Sequence, residues 1–313
     1  MKRKILISAI GGDIGYGIIN ALRESDHDLH IIGFDVKKYN VSLDLVDDFF
    51  VSPKYKDETK WLDFVLKIIC EYDIDYFWPV TESEILLVDK NRSMFEQTTV
   101  VINKHNVLSI SLDKWNTAMF LKNGGLNTPA TWKPTEMYED KYPLIVKEAF
   151  GCGSHSVCLV NNKSELEQAI SEMKSPIIQE YKGNESDEYT LTIFSDKRII
   201  NFIAFKRLLG FGGMSRYVEL VNDDYISDIA YKIAELFELE GSINVQMRKD
   251  NGKYYIFEIN PRISSTIGFR LKLGFNDVAW WLDLLNEKNV EQYKYPNKKV
   301  YGVRTVEEKL YYD

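Results

Sequence analysis

Residues 254–265, YYIFEINPRISS, set a carboxylate, an amide and a guanidinium at alternate positions: Glu258, Asn260 and Arg262. In an extended chain alternate side chains share a face. The same alternation sends Phe257 and Ile259 to the opposite face, into a core. Asp-Asn-Gly at 250–252 marks a hairpin with the preceding run GSINVQMRK. Core matching then requires Val245 and Met247 to share a face with Phe257 and Ile259. A two-residue Asn-Gly loop pairs Gln246 with Phe257 and mixes the faces. A loop of odd length pairs Gln246 with Glu258 and Asn244 with Asn260, so an odd loop is expected. Three oxygen donors (Gln246, Glu258, Asn260) beside Arg262 suit a hard cation and a phosphate. Mg²⁺ takes few protein oxygens and completes its shell with water and phosphate. The plainer alternative is a solvated polar face, which accounts for one polar pair better than for four functional side chains.

Two other stretches carry compatible chemistry. IVKEAFGCGSHSV puts Lys147 on a strand ahead of Gly151 and Gly153. Glycine lets backbone N–H groups approach phosphate oxygens closely, and Ser154 and His155 can add donors. No Gly-Lys-Ser/Thr follows, so this is not a P-loop; by itself such a loop is also an ordinary turn. IIQEYKGNESDEYT offers Glu180 and Tyr181 at a strand end, with Glu188 eight residues later. Strand-end backbone can read a base and a carboxylate can accept from sugar hydroxyls; an acidic surface loop is the competing reading. Cys152 in the glycine loop reads as a small filler.

These residues need a scaffold. The chain has 313 residues, enough for two or three compact units, with 45% hydrophobic residues and a net charge of −8. That charge argues against a polyanion as main partner. Three cysteines (Cys70, Cys152, Cys158) fit a reducing cytoplasm. The apolar run ILISAI is too short for a secretory core, and no stretch reaches the roughly 20 apolar residues of a membrane span. A cytoplasmic protein is expected. Strands KILISAI, LHIIGFD, IDYFWPV and TVVIN alternate with helical stripes to about residue 105, which predicts a parallel doubly wound α/β unit. A helix follows in SLDKWNTAMFLKNGG, capped by Ser111 or Asp113 and ended by Gly124 and Gly125. A small α+β unit runs to 181, and the last third reads as an antiparallel sheet with packed helices.

Taken in order, these parts resemble the ATP-grasp superfamily, nearest its carbamoyl-phosphate synthetase large-subunit-like and pyrrolysine-biosynthesis-like ligases. The resemblance implies a Rossmann-like pre-ATP-grasp domain at 1–106, then a two-lobed ATP-grasp fold at 107–181 and 182–313. It implies ATP and two Mg²⁺ ions, with Mn²⁺ acceptable. It assigns nucleotide contacts to Lys114, Lys147, Gly151, Gly153, Ser154, His155, Glu180, Tyr181 and Glu188, the last as ribose acid. It makes Gln246, Glu258 and Asn260 the metal ligands, Glu258 bridging, and gives Arg262 and Lys147 the transferred phosphate. Gln246 stands where many members carry an acid, which weakens one metal position. The implied reaction activates a carboxylate as an acyl phosphate for attack by an amine, releasing ADP and phosphate. The implied partners are small-molecule carboxylate and amine substrates, without nucleic acid or membrane, and with a homodimer left open.

IGGDIGYG after the first strand, with Asp35 ending the second, invites an alternative reading as an NAD-binding oxidoreductase. The spacing is G-G-x-x-G-x-G instead of G-x-G-x-x-G. A non-catalytic ATP-binding module is a further alternative. Gly11, Gly12 and Thr81–Glu84 follow strands and are candidates for an acceptor pocket; Arg216 and Arg270 are candidate carboxylate clamps.

Overall fold

Two apolar runs, KILI and LHIIGFD, start the first sheet of the computed structural model, which describes residues 2–136, 141–151, 157–210, 213–305 and 308–311. They form β1 (Arg3–Ile7) and β2 (Leu29–Asp35). With β3 (Asp48–Val51), β4 (Tyr76–Trp78) and β5 (Thr99–Val100) they make a parallel sheet of order β3-β2-β1-β4-β5. Helices cover both faces, so these strands are apolar almost throughout. Ile5 and Ile7 pack with α1 (Asp13–Arg23); Leu6, Ile32 and Phe34 pack with α2 (Glu58–Tyr72) and α3 (Glu82–Lys90). Strand order reverses between β1 and β4, the position where open α/β sheets place a ligand crevice. No helix among the described residues is long and apolar enough to cross a membrane.

A short α4 (His105–Ser111), absent from the sequence reading, precedes α5 (Lys114–Asn123). Asp113 caps α5 by accepting from the backbone N–H groups of Trp115 and Asn116 at 2.9 and 3.2 Å. The second sheet is antiparallel, with β6 (Thr131–Trp132), β7 (Leu144–Glu148), β8 (Val157–Val160) and β9 (Pro176–Glu180) in the order β6-β9-β7-β8. Helix α6 (Lys163–Ser171) packs on it through Leu166 and Ala169.

The third sheet contains β10 (Glu188–Asp196), β11 (Ile200–Leu209), β12 (Ser215–Leu220), β13 (Glu240–Asp250), β14 (Lys253–Asn260) and β15 (Tyr301–Val303). Its order is β14-β13-β10-β11-β12-β15, with every pair antiparallel. Helix α7 (Asp224–Phe237) buries one face of it. Helices α8 (Ile267–Leu271) and α9 (Asp277–Leu285) share a core with α1 and the first sheet. A Cβ at Gly17 would fall 2.1 Å from Ile267 Cγ2, so this glycine of the IGGDIGYG run serves the close packing of α1 on α8.

The hairpin corrects the expectation of an odd loop. Asp250 pairs with Lys253, leaving a two-residue Asn251-Gly252 loop in which both residues have positive φ, 47° and 79°. That is the tight turn the Asn-Gly signal favours. Gln246 nevertheless faces Glu258, because a β-bulge lies between Gln246 and Met247 and absorbs Phe257. The parity of the core changes there, with Tyr254, Ile256 and Ile259 inside. Phe257, expected in the core, lines the open face beside Glu258.

Candidate active site

The face of the third sheet opposite α7 and the inner face of the second sheet enclose a cleft of about 710 Å³. Register builds its floor. Asn244 lies opposite Asn260 and Gln246 opposite Glu258, and all four line the cleft. The Glu258 carboxylate and the Gln246 amide have no hydrogen-bond or ion-pair partner among the described residues. No group of three or more His, Cys, Asp or Glu is placed to hold a metal among the described residues. Asn260 Oδ1 already accepts from Arg262 Nη2 at 3.0 Å and Asn244 Oδ1 from Thr190 Oγ1 at 2.6 Å, so the open oxygens of this floor are those of Glu258 and Gln246, a set that fits Mg²⁺, which asks for few protein ligands.

Lys147, on β7, enters the cleft from the opposite wall. It is buried and donates to the Phe257 carbonyl at 3.2 Å. Burial pushes its ammonium down to about 8; Glu258 opposes that shift, while Lys114 and Arg248 reinforce it. A phosphate ligand selects the ammonium form. MgADP affinity is therefore expected to hold near neutrality and to fall about tenfold per unit well above pH 8. Calorimetric titration between pH 7 and 9.5 checks this. The Lys147→Arg protein, always charged, is expected to lose the slope; an equal slope in both would remove Lys147 as its cause.

Lys114, the first residue of α5, donates to the Gly151 carbonyl at 2.6 Å and ties the helix to the start of the glycine loop. Gly151 has φ of 111°, a conformation that suits glycine. Gly153, Ser154, His155 and Cys152 lie outside the described residues. Glu180 and Tyr181 line the cleft at the end of β9, and Lys182 pairs with Glu180 at 2.6 Å.

Arg262 is held more firmly than its sequence suggests. Its Nε and Nη2 donate to Glu82 Oε1 at 3.1 and 2.8 Å, Nη2 to Asn260 Oδ1 at 3.0 Å, and Nη1 to the Ile263 carbonyl at 3.2 Å. The guanidinium has five N–H groups, so one Nη1 hydrogen remains for a ligand. Asn260 Nδ2 is buried without a partner.

Several expectations are corrected. Glu188 lines the cleft, but its carboxylate is not a free acceptor: Oε1 takes Arg207 at 2.7 Å and Oε2 takes Arg248 at 3.1 Å. Arg270 is no clamp; it is fully buried and bonds Asp277 through Nε and Nη2 at 2.9 and 3.1 Å. Its Nη1 donates to Ser264, which fixes the loop that brings Ser264 and Ser265 to the cleft. Arg216 is exposed and is not one of the residues that line the cleft. Gly11 donates its N–H to Asp35 Oδ2 at 2.9 Å, and Lys37 donates to Oδ1 at 3.0 Å, so both oxygens of the supposed ribose acid of the NAD reading are engaged. Thr81 and Glu84 form the capping box of α3. The residues of the first 106 that line the cleft are Asp13 and Ile14, at the start of α1.

Sequence reasoning placed Asn244 in the register without making it a site residue, and missed Arg248, Arg207 and Asp13. Asn244 and Arg248 were accessible, being two positions either side of Gln246 on one strand face. Arg207 and Asp13 come from other strands and helices with no local signal.

A floor of amides and one carboxylate faces a lysine-bearing wall across these two antiparallel sheets. The ATP-grasp domain family matches residues 111–266, and the chain belongs to the ATP-grasp superfamily through that domain. An uncharacterized protein of Methanocaldococcus jannaschii is 29% identical, over 91% of this chain and 74% of that one. The D-alanine–D-alanine ligase of Fusobacterium nucleatum is 26% identical, over 49% of this chain and 56% of that one. The carbamoyl phosphate synthase large chain of Methanosarcina barkeri is 23% identical, over 86% of this chain but only 28% of that one. Among solved structures, N5-carboxyaminoimidazole synthetase of Staphylococcus aureus with ADP superimposes with a TM-score of 0.74 at 16% identity, over 93% of this chain and 80% of that one. The biotin carboxylase domain of the Hydrogenobacter thermophilus 2-oxoglutarate carboxylase, with MgADP and bicarbonate, gives 0.75 at 15% identity, over 93% and 71%.

Proposed function

We propose that the chain is a Mg-ATP-dependent, ADP-forming ligase that joins a small carboxylate to an amine. The observation that carries this reading is one cleft in which unpartnered Glu258 and Gln246 face buried Lys147. The printed names of the relatives, a D-alanine–D-alanine ligase and carbamoyl phosphate synthases, support the class.

In this reading the chain is organised as 1–106, 107–181 and 182–313, with the nucleotide between the second and third parts. Gln246, Glu258 and Asn260 hold Mg²⁺, which when bound offsets phosphate charge. Lys147 and Lys114 lie on the phosphate side with Gly151, while Gly153, Ser154 and His155, expected to contact the nucleotide, lie outside the described residues. Glu180 and Tyr181 take the base end. The carboxylate oxygen of the substrate attacks the γ-phosphorus, and ADP leaves. The amine then attacks the acyl carbon, forms the amide, and expels phosphate that carries the carboxylate oxygen; the amine proton passes to solvent. Such a transfer needs positioning and charge neutralisation more than a protein nucleophile. Arg262, steadied by Glu82, offers its remaining N–H to the anionic group that crosses the site. Asp13, Ser264 and Ser265 border the acceptor end, near the reversal of strand order in the first sheet.

The reading is tested with MgATP and a panel of amino acids and related carboxylates supplied in pairs with amines. ATP consumption should require both partners and yield ADP and phosphate. Consumption yielding AMP and pyrophosphate would sink it.

A further inference from the structure

We infer that Lys309 and Tyr311 are positioning residues for the substrate end of the cleft, acting with Arg304 as a brace between the third sheet and the first turn of α1. The assignment of that end to the acceptor substrates rests on the reading above. Two pieces of chain line it: Asp13 and Ile14 at the start of α1, and Ser264 and Ser265 beyond β14. Arg304, just past β15, holds the second piece. Its Nη2 donates to the Ser265 carbonyl at 2.5 Å and its Nε to the Ser215 carbonyl at 3.1 Å, while Cζ lies 5.4 Å from the Phe269 ring centroid. Lys309 follows Arg304 by five positions, a covalent reach of at most about 18 Å.

Lys309 and Tyr311 hold the first piece through the loop between β2 and β3. Lys309 Nζ donates to the Val41 carbonyl at 2.9 Å and to Asp44 Oδ1 at 2.7 Å, and lies 5.8 Å from the ring centroid of Tyr16 in the first turn of α1. Tyr311 Oη donates to the Asn40 carbonyl at 2.9 Å, and its ring stacks with Tyr39 at 6.0 Å between centroids. That loop in turn grips the backbone ahead of α1. Ser42 Oγ donates to the Ile10 carbonyl at 2.5 Å, and a Cβ at Gly11 would fall 3.0 Å from Asn40 Cβ, so the loop packs tightly two residues before Asp13. The rest of α1 is held separately, by Asn276 Nδ2 on the Ala21 carbonyl at 2.9 Å and by Gly17 against Ile267. The placement of the first turn therefore depends on the 40–44 loop and on what fixes that loop. Asp44 has a side chain 51% exposed, so its pair with Lys309 adds little to global stability. The effect of the pair falls on the placement of the first turn, and a misplacement of about 1 Å in a site is enough to impair productive binding.

Hydrogen exchange and kinetics on the full chain test this. The double variant Lys309→Met with Tyr311→Phe is expected to exchange severalfold faster in residues 36–46 and also in 10–16, where the amides of Ile10, Gly12 and Tyr16 are bonded at 3.3, 3.2 and 2.9 Å. With a productive carboxylate–amine pair its KM for the pair should rise about tenfold, while kcat, MgADP affinity and melting temperature stay near those of the wild type. Lys309→Arg keeps the cation within reach of Val41 and Asp44 and should keep the wild-type KM. Faster exchange in 36–46 with none in 10–16 would make residues 308–311 a cover on that loop alone and overturn the inference. So would an unchanged KM in the double variant, equal losses of substrate and MgADP binding, or an arginine variant as impaired as the double one. A wild-type protein that does not bind MgADP would sink the nucleotide reading instead, and the exchange result would still decide the brace.

Discussion

Glu258→Gln is expected to reduce turnover about 1,000-fold while leaving the fold intact. Glu258 is the only carboxylate in the donor set of the cleft floor, with Gln246 opposite it and Asn260 two residues on. Replacing it with an amide leaves three neutral donors, and loss of metal-derived charge stabilisation is worth several kcal/mol in the transition state. Stability should change little, because no hydrogen bond or ion pair is lost among the described residues. Two binding signatures distinguish this from general damage. Mg²⁺ should no longer tighten ADP binding. The pH above which MgADP affinity falls should also move down, because Glu258 supports the Lys147 ammonium. Full activity in the variant would remove Glu258 from the metal assignment.

Asp277→Ala is expected to destabilise the protein by roughly 3–5 kcal/mol, the usual consequence of leaving a buried cation without its partner. Arg270 and Asp277 are both fully buried and bonded through two N–H groups. Asp277 also accepts from Ser242 Oγ at 2.5 Å, which joins α9 to β13. A melting temperature lower by roughly 10 °C is expected for a chain of this size. The double replacement Arg270→Met with Asp277→Leu should recover much of the loss, since both charges leave together. A single variant melting with the wild type would show that Arg270 finds other compensation. Because Arg270 also fixes Ser264, the single variant should loosen the side of the cleft lined by Ser264 and Ser265 before it affects nucleotide binding.

The comparison of sequence with structure turns on particular residues. Alternation in FEINPR correctly brought Gln246 opposite Glu258, yet the route was wrong. The core match was sought in Phe257 and Ile259, whereas the buried set is Ile256 and Ile259. A bulge inserts one residue without any composition signal, so parity arguments that assume a regular ladder must blame the loop instead. The Asn-Gly turn was legible and should have been weighed as fixed. Parallel strands and the cap at Asp113 were legible because both are local: continuous apolar runs, and one acid ahead of a helical stripe. The pairing of Glu188 was illegible for the opposite reason. Its partners come from β11 and β13, 19 and 60 residues away, and only the assembled sheet makes them neighbours. The glycines of IGGDIGYG were ambiguous for the same cause, since Gly17 answers to Ile267 across the molecule.

The most direct test of the ligase chemistry follows an oxygen atom. A carboxylate substrate found in the paired panel is labelled with ¹⁸O and turned over with MgATP and its amine, and the phosphorus products are read by ³¹P NMR. Activation through an acyl phosphate predicts one ¹⁸O in the inorganic phosphate, alongside unlabelled ADP. Label appearing in AMP, or unlabelled phosphate released during full amide formation, would contradict the account.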